Sequence, residues 1–229
     1  MRSFITFLLI IFSASSQAQD VTVLVAKVKA KLDQVNDYVA EGKMKTDVAF
    51  IKAPVGKVKV FFRKPDQFKL QKEGGISLLP KGGISINMRS LLTTDQFIAL
   101  DAGTQTFEGQ PIRVVKLLPV EENSEVILTT LYIDDASLLI KRAISTTREN
   151  GTYEMDMQYG NYRKYALPDK VIISFRTKDY KLPKGVTLEF SDEGKPKTEA
   201  EKLKNRKGKI EISYSSYTIN KGISDAVFK

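Results

Sequence analysis

Between residues 55 and 71 the chain reads VGKVKVFFRKPDQFKLQ, and this stretch limits the fold more than any other. Val58, Val60 and Phe62 alternate with Lys57, Lys59 and Phe61. Strand side chains point alternately to opposite faces, so one face is apolar and the other mainly cationic. Pro65 has no amide hydrogen to give to a ladder, which puts a corner at Pro65-Asp66. Beyond it Phe68 and Leu70 resume the alternation against Lys69 and Gln71. Lys64 shares the parity of Val58, Val60 and Phe62, so a regular strand sends its ammonium to the apolar side. Two readings fit. One is a half-buried hairpin with a snorkelling lysine; the other is an apolar concave surface with one basic residue at its rim.

Upstream of the corner, residues 20–41 carry Val21, Leu24, Val25, Val28, Leu32, Val35 and Val39 at spacings of three and four. This predicts one long amphipathic helix, capped by Asp20 and stopped by Gly42. Almost everything after Gly42 reads as strands and turns. Strands are predicted at 43–52, 57–64, 67–72, 84–87, 112–118, 126–134, 137–146, 152–162, 170–177, 186–190 and 209–217. A short strand between glycine pairs is predicted within 74–83. Residues 90–100 fit a short helix or a strand. Asn150-Gly151 is a hairpin turn, and Asn150-Gly151-Thr152 is also a glycosylation sequon. Residues 219–228 form a tail that docks back. One helix with ten or more short antiparallel strands predicts a mainly β (α+β) fold: a strongly curved sheet, or incomplete barrel, with the helix over its open side.

Composition narrows the chemistry. The 229 residues include no cysteine and no histidine, which removes disulfides, Ser-His-Asp and Cys-His catalysis, and histidine-ligated metals. The first residues, MRSFITFLLIIFSASSQAQ, run from Arg2 through an apolar stretch to small residues. That order predicts a secretory signal over residues 1–18, cleaved after Ala18, and one domain over 19–229. Without a cysteine at the cleavage site the mature protein carries no acyl anchor, which predicts a protein free in the periplasm or secreted. The formal net charge is +9. Export and the spread of the lysines argue against nucleic acid. Residues 191–208 are strongly charged, including Lys195, Lys197, Lys202, Lys204, Arg206 and Lys207. They read as a solvated hairpin tip or as a docking patch for an acidic partner. The neighbouring carboxylates Glu121-Glu122 and Asp134-Asp135 point opposite ways on a strand, so no paired acids face one cleft and no enzyme activity or cofactor is expected.

The order of these pieces resembles the periplasmic outer-membrane lipoprotein carriers, the LolA-like family. A leader runs straight into an amphipathic helix. Residues 62–68, FRKPDQF, are similar to the family's strand ending in Arg-Pro, then a polar residue, then an aromatic. Residues 114–119 end an apolar strand in Pro, and 131–134, LYID, end a later one in Asp. Residues 217–228, YTINKGISDAVF, resemble a tail of the wider superfamily. The resemblance implies an unclosed antiparallel barrel whose helices form a lid over a cavity for lipoprotein acyl chains. It also implies transfer partners at the inner and outer membranes, and a monomer. In the family a basic residue before the corner proline, an arginine, serves loading and release; the matching position here is Lys64, preceded by Arg63. Lysine lacks arginine's planar set of donors. The absence of Trp and the basic stretch 191–208 also set the chain apart.

The expected acyl-binding residues are Val58, Val60, Phe62, Phe68, Leu70, Met155, Met157 and Tyr159, with Lys64 at the rim. The same residue types fill a solid core, so cavity and core remain alternatives for each. The expected function is a soluble carrier of lipoprotein acyl chains toward the outer membrane. The alternative is a lipid-responsive envelope sensor that docks a membrane-protein partner through 191–208.

Overall fold

In the computed structural model the described residues are 16–47, 55–73, 91–92, 96–149, 151–176 and 207–229. Among the described residues a helix α1 (Ser16–Leu32) precedes ten strands. These are β1 (Asp37–Asp47), β2 (Gly56–Arg63), β3 (Gln67–Lys72), β4 (Phe97–Phe107), β5 (Gln110–Pro119), β6 (Val126–Asp134), β7 (Leu139–Thr147), β8 (Gly151–Gln158), β9 (Lys170–Arg176) and β10 (Lys207–Ile219). All ten lie in one antiparallel sheet, ordered β3-β2-β1-β10-β9-β8-β7-β6-β5-β4. The sheet is curved and open, with β3 and β4 as its edges. The fold class read from the sequence is the one observed.

Every neighbouring pair but one is sequential. The exception, β1 with β10, joins the two ends of the chain inside the sheet, three strands from its β3 edge. Its register shifts at Glu41/Gly42, where Ser215 is the extra residue on β10 and its hydroxyl donates to the Glu41 carbonyl at 3.0 Å. A bulge changes which residues face inward. Tyr214 and Tyr217 lie three apart, which in a regular strand puts them on opposite faces, yet both pack into the inner face.

The helix is shorter than its apolar spacing suggests. It ends at Leu32, and 37–47 is strand. The amides of Gln34 and Val35 bond to the carbonyls of Lys31 and Leu32, a tightening last turn. Residues 33–37 are then held by the far end of the chain. Asn220 Oδ1 accepts from the Asn36 amide at 2.7 Å, and Asn220 Nδ2 donates to the Gln34 carbonyl at 3.0 Å. Val39 belongs to β1, not to a helix face, because Tyr38 and Ala40 alternate into the core around it. Gly42 is no helix stop either. It lies in β1 where β10 passes so closely that a Cβ would sit 2.3 Å from the Ser213 carbonyl oxygen.

The corner at Pro65-Asp66 falls between β2 and β3, as the sequence suggests. The strands 67–72 and 126–134 have the boundaries read from the sequence. Of the ambiguous stretch 90–100, Phe97 onward is strand, and Leu91 and Leu92 are buried in the core. Strand β10 begins two residues inside the charged stretch, at Lys207. The tail after β10 does dock back. The Arg63 guanidinium donates to the Ile223 carbonyl at 2.7 Å, pairs with Asp225 at 2.5 Å and stacks over the Phe228 ring. Residues 1–15 of the expected leader, the strands expected within 74–87 and at 186–190, and the basic stretch before Lys207 lie outside the described residues, as does Asn150 of the sequon.

Candidate functional site

The inner face of the sheet is apolar because each strand gives it alternate residues. Val58 and Val60 come from β2, Leu131 and Ile133 from β6, Met155 and Met157 from β8, and Ile210 and Ile212 from β10; all are at most 4% exposed. Helix α1 lies across this face. Val21, Leu24, Val25, Val28 and Leu32 form its buried stripe, while Val23 on the opposite side is 45% exposed. Sheet and helix side chains make one cluster, joined by Leu91 and Leu92. Helix α1 also reaches the open edge of the sheet at β4.

Lysines tie the C-terminal end of α1 to two separate turns. Lys64 Nζ, in the β2–β3 corner, donates to the Asp33 carbonyl at 2.5 Å and to Asn36 Oδ1 at 3.0 Å. Lys31 Nζ donates to the Ser137 carbonyl in the β6–β7 turn at 2.6 Å. A cation at a helix C-terminus meets the partial negative charge of its free carbonyls, worth about 0.3–1 kcal/mol when partly exposed. Burial and the nearby Arg163 charge lower the Lys31 pKa, with Asp134 acting against them.

The β6–β7 turn is shaped by Asp134. Its carboxylate accepts from the Ala136 amide at 3.1 Å, the Ser137 amide at 3.2 Å and the Ser137 hydroxyl at 2.5 Å. Burial disfavours the charged form, but these three donors, with the Lys141 charge, outweigh it and hold the carboxyl below the usual carboxylate range. A folded pKa below the unfolded one gives stability that is present above the unfolded pKa and lost as pH falls through the folded one. Asp134→Asn should therefore lower the urea midpoint at pH 7 and lose less further stability than the wild type below about pH 4. Parallel acid titrations of the two would rule against the turn's charge if their curves ran together.

The expected lining residues fall into two groups. Val58, Met155 and Met157 are buried directly against the α1 cluster, and Tyr159 packs at its margin with its hydroxyl donating to the Ile140 carbonyl at 2.8 Å. Val60 and Phe62 belong to a second, aromatic cluster beyond the end of α1, with Val35, Tyr38, Ala40 and Leu167. Phe68 and Leu70 are partly buried and touch both. Lys64 stands at the rim on the helix side, its side chain 27% exposed. The residues that sequence reasoning missed are Tyr38, Tyr162, Tyr165, Tyr214 and Tyr217 of the aromatic cluster. Five tyrosines scattered from 38 to 217 leave no local pattern; the β1–β10 pairing and the bulge bring Tyr38, Tyr214 and Tyr217 together, and Tyr162 and Tyr165 come from the β8–β9 connection.

Among the described residues no group of three acidic, histidine or cysteine side chains could hold a metal ion. No described helix is long and apolar enough to cross a membrane. The outer face carries compensated charge: Arg142 pairs with Asp156 at 2.5 Å and Glu154 at 3.2 Å and stacks over Phe107.

No family model matches the chain. No curated protein matches it by sequence either. Solved structures do match. An outer membrane lipoprotein-sorting protein domain from Vibrio parahaemolyticus superposes with a TM-score of 0.55 at 11% identity, covering 93% of this chain and 97% of that one. A DUF1329 family protein from Desulfovibrio piger gives 0.54 at 10%, with the same coverage. A LolA superfamily protein from Nitrosomonas europaea gives 0.53 at 10%, covering 90% of this chain and 97% of that one. The chain thus has the fold of the LolA superfamily and of lipoprotein-sorting domains, reached with about a tenth of the sequence in common.

Proposed function

We propose that the protein is an exported, non-catalytic carrier that holds lipoprotein acyl chains against the inner face of its open sheet, in the periplasm. The observation that carries this reading is an apolar sheet face over which, among the described residues, helix α1 lies together with Leu91 and Leu92. The likeness to lipoprotein-sorting domains supports it.

Because α1 itself fills the inner face, an acyl chain must take the helix's place, and the magnitudes allow it. Exposing the five buried α1 side chains to water costs roughly 8–15 kcal/mol at 1.5–3 kcal/mol each. Burying a sixteen-carbon chain returns about 12 kcal/mol at 0.8 kcal/mol per CH₂. The exchange is nearly balanced, which suits a carrier that must both load and release. In this reading Lys64 and Lys31 hold the empty protein closed through contacts weak enough to break, and membrane-bound partners at each end tip the balance.

The test is uptake of a fluorescent sixteen-carbon acyl probe by delipidated protein. The expected result is a stable, roughly equimolar complex, with faster uptake by Lys64→Met. A protein that leaves the probe in detergent at every ratio is not an acyl carrier.

A further inference from the structure

Positive charge is held together along one side of α1. Lys27 and Lys31 stand one turn apart, with Val23 one turn before them, and positions four apart are neighbours on a helix surface. Lys27 is exposed, as are Ala26 and Ala30 beside it, and Val23 is 45% exposed. From Val21 to Leu32 the helix has three lysines and no acid. The charge continues past the helix into the β8–β9 connection. Burial and then the Arg163 charge lower the Lys31 pKa, so these two cations lie within reach of each other. Tyr162, Tyr165 and Leu167 on either side of Arg163 pack with Val35, just beyond the end of α1. Lys164 follows, exposed, with its ammonium 4.7 Å from the centre of the Tyr165 ring.

Elsewhere on the surface such charges are matched, as in Lys59 with Glu41 and Lys170 with Glu211, both at 2.9 Å. Here they are not. Among the described residues the side chains of Lys27 and Arg163 have no ion pair or hydrogen bond. Asp134 is the acid that acts on Lys31, but its carboxylate is engaged by three donors of its own turn. Asp33 lies by Lys64 instead. Like charges one turn apart work against the helix that carries them, so this ridge gains from an anion outside the protein. Val23, in line with the two lysines, decides the class of that anion. A small soluble anion gives a valine nothing. A bilayer surface takes lysines at its phosphates and an apolar side chain just beneath them.

We propose that this side of α1, with Arg163 and Lys164, docks the protein on an anionic phospholipid surface. The proposal rests on the carrier reading for its use: docked this way, the helix that covers the inner face lies against the membrane that gives or receives the acyl chain.

The test is co-sedimentation with vesicles of phosphatidylglycerol and phosphatidylcholine in equal parts, for wild type, Lys27→Ala, Arg163→Ala and Lys116→Ala. Lys116 is exposed on β5, so its loss changes the net charge equally and leaves the ridge intact. The wild type should bind the mixed vesicles, leave them as salt rises, and ignore phosphatidylcholine alone. Lys27→Ala and Arg163→Ala should each weaken binding about fivefold, and Lys116→Ala less than about twofold. Both ridge positions are exposed, so their urea midpoints should not fall. Val23→Trp gives the chain its first tryptophan, whose emission should move to shorter wavelength on the mixed vesicles. Equal losses from Lys116→Ala and Lys27→Ala, or an emission that does not move, overturn the docking surface. Uptake of the acyl probe in solution separates the two readings. A wild type that takes up the probe and binds no vesicle overturns docking and leaves the carrier. One that docks as expected and takes up no probe overturns the carrier alone.

Discussion

Val25→Asp should lower the stability of the protein by more than about 3 kcal/mol, whereas Val23→Asp two positions away should change it by less than about 0.5 kcal/mol. Val25 is 1% exposed and faces the sheet; Val23 is on the solvent side of the same helix. A carboxylate at position 25 has two options. It is buried without a partner, at several kcal/mol, or the helix lifts and exposes the stripe from Val21 to Leu32. Lifting it uncovers Val58, Met155 and Met157 as well, so either route removes a large share of the 5–15 kcal/mol by which a domain is stable. Urea midpoints of the pair measure the difference. If α1 is a replaceable cover, saturating acyl ligand should raise the Val25→Asp midpoint more than that of the wild type, because the ligand supplies the burial the helix no longer gives. Equal shifts would mean that ligand and helix do not compete.

Gly42→Ala should be the most damaging single-methyl addition in the described chain, costing about 3 kcal/mol or more. The added Cβ would lie 2.3 Å from the Ser213 carbonyl oxygen and 3.0 Å from Tyr214 Cα, all backbone atoms that cannot swing aside. The β1–β10 pair must part there, and it is the pair that joins the two ends of the chain. Gly103→Ala is the comparison. Gly103 has a φ of +80° but nothing within 4 Å of a Cβ, so its cost is the backbone term alone, about 1–2 kcal/mol. A Gly42→Ala protein as stable as the Gly103→Ala protein would mean that β1 and β10 do not approach as described.

Gly42 also marks the limit of what was legible in the sequence. A glycine after a run spaced three and four reads as a helix stop, and nothing local says otherwise. The helix is ended instead by Asn220, some 180 residues downstream, which takes the amides and carbonyl of the α1–β1 turn. Where the signal is local it matches the structure directly, a run of β-formers in 126–134 and alternation on either side of the corner at Pro65-Asp66. The apolar inner face was readable for the same reason: parity along Val58, Val60 and Phe62 needs no knowledge of distant strands. The aromatic end was not. Tyr214 and Tyr217 share a face only because Ser215 bulges, and Tyr38 joins them only through the β1–β10 pairing.

The most direct measurement is amide hydrogen exchange of the delipidated protein with and without a bound sixteen-carbon acyl ligand. If the ligand takes the helix's place, the α1 amides up to Leu32 should lose protection on loading, while those of β8 and β9 stay as slow as before. Binding that leaves α1 as protected as in the empty protein would contradict a cover exchanged for cargo.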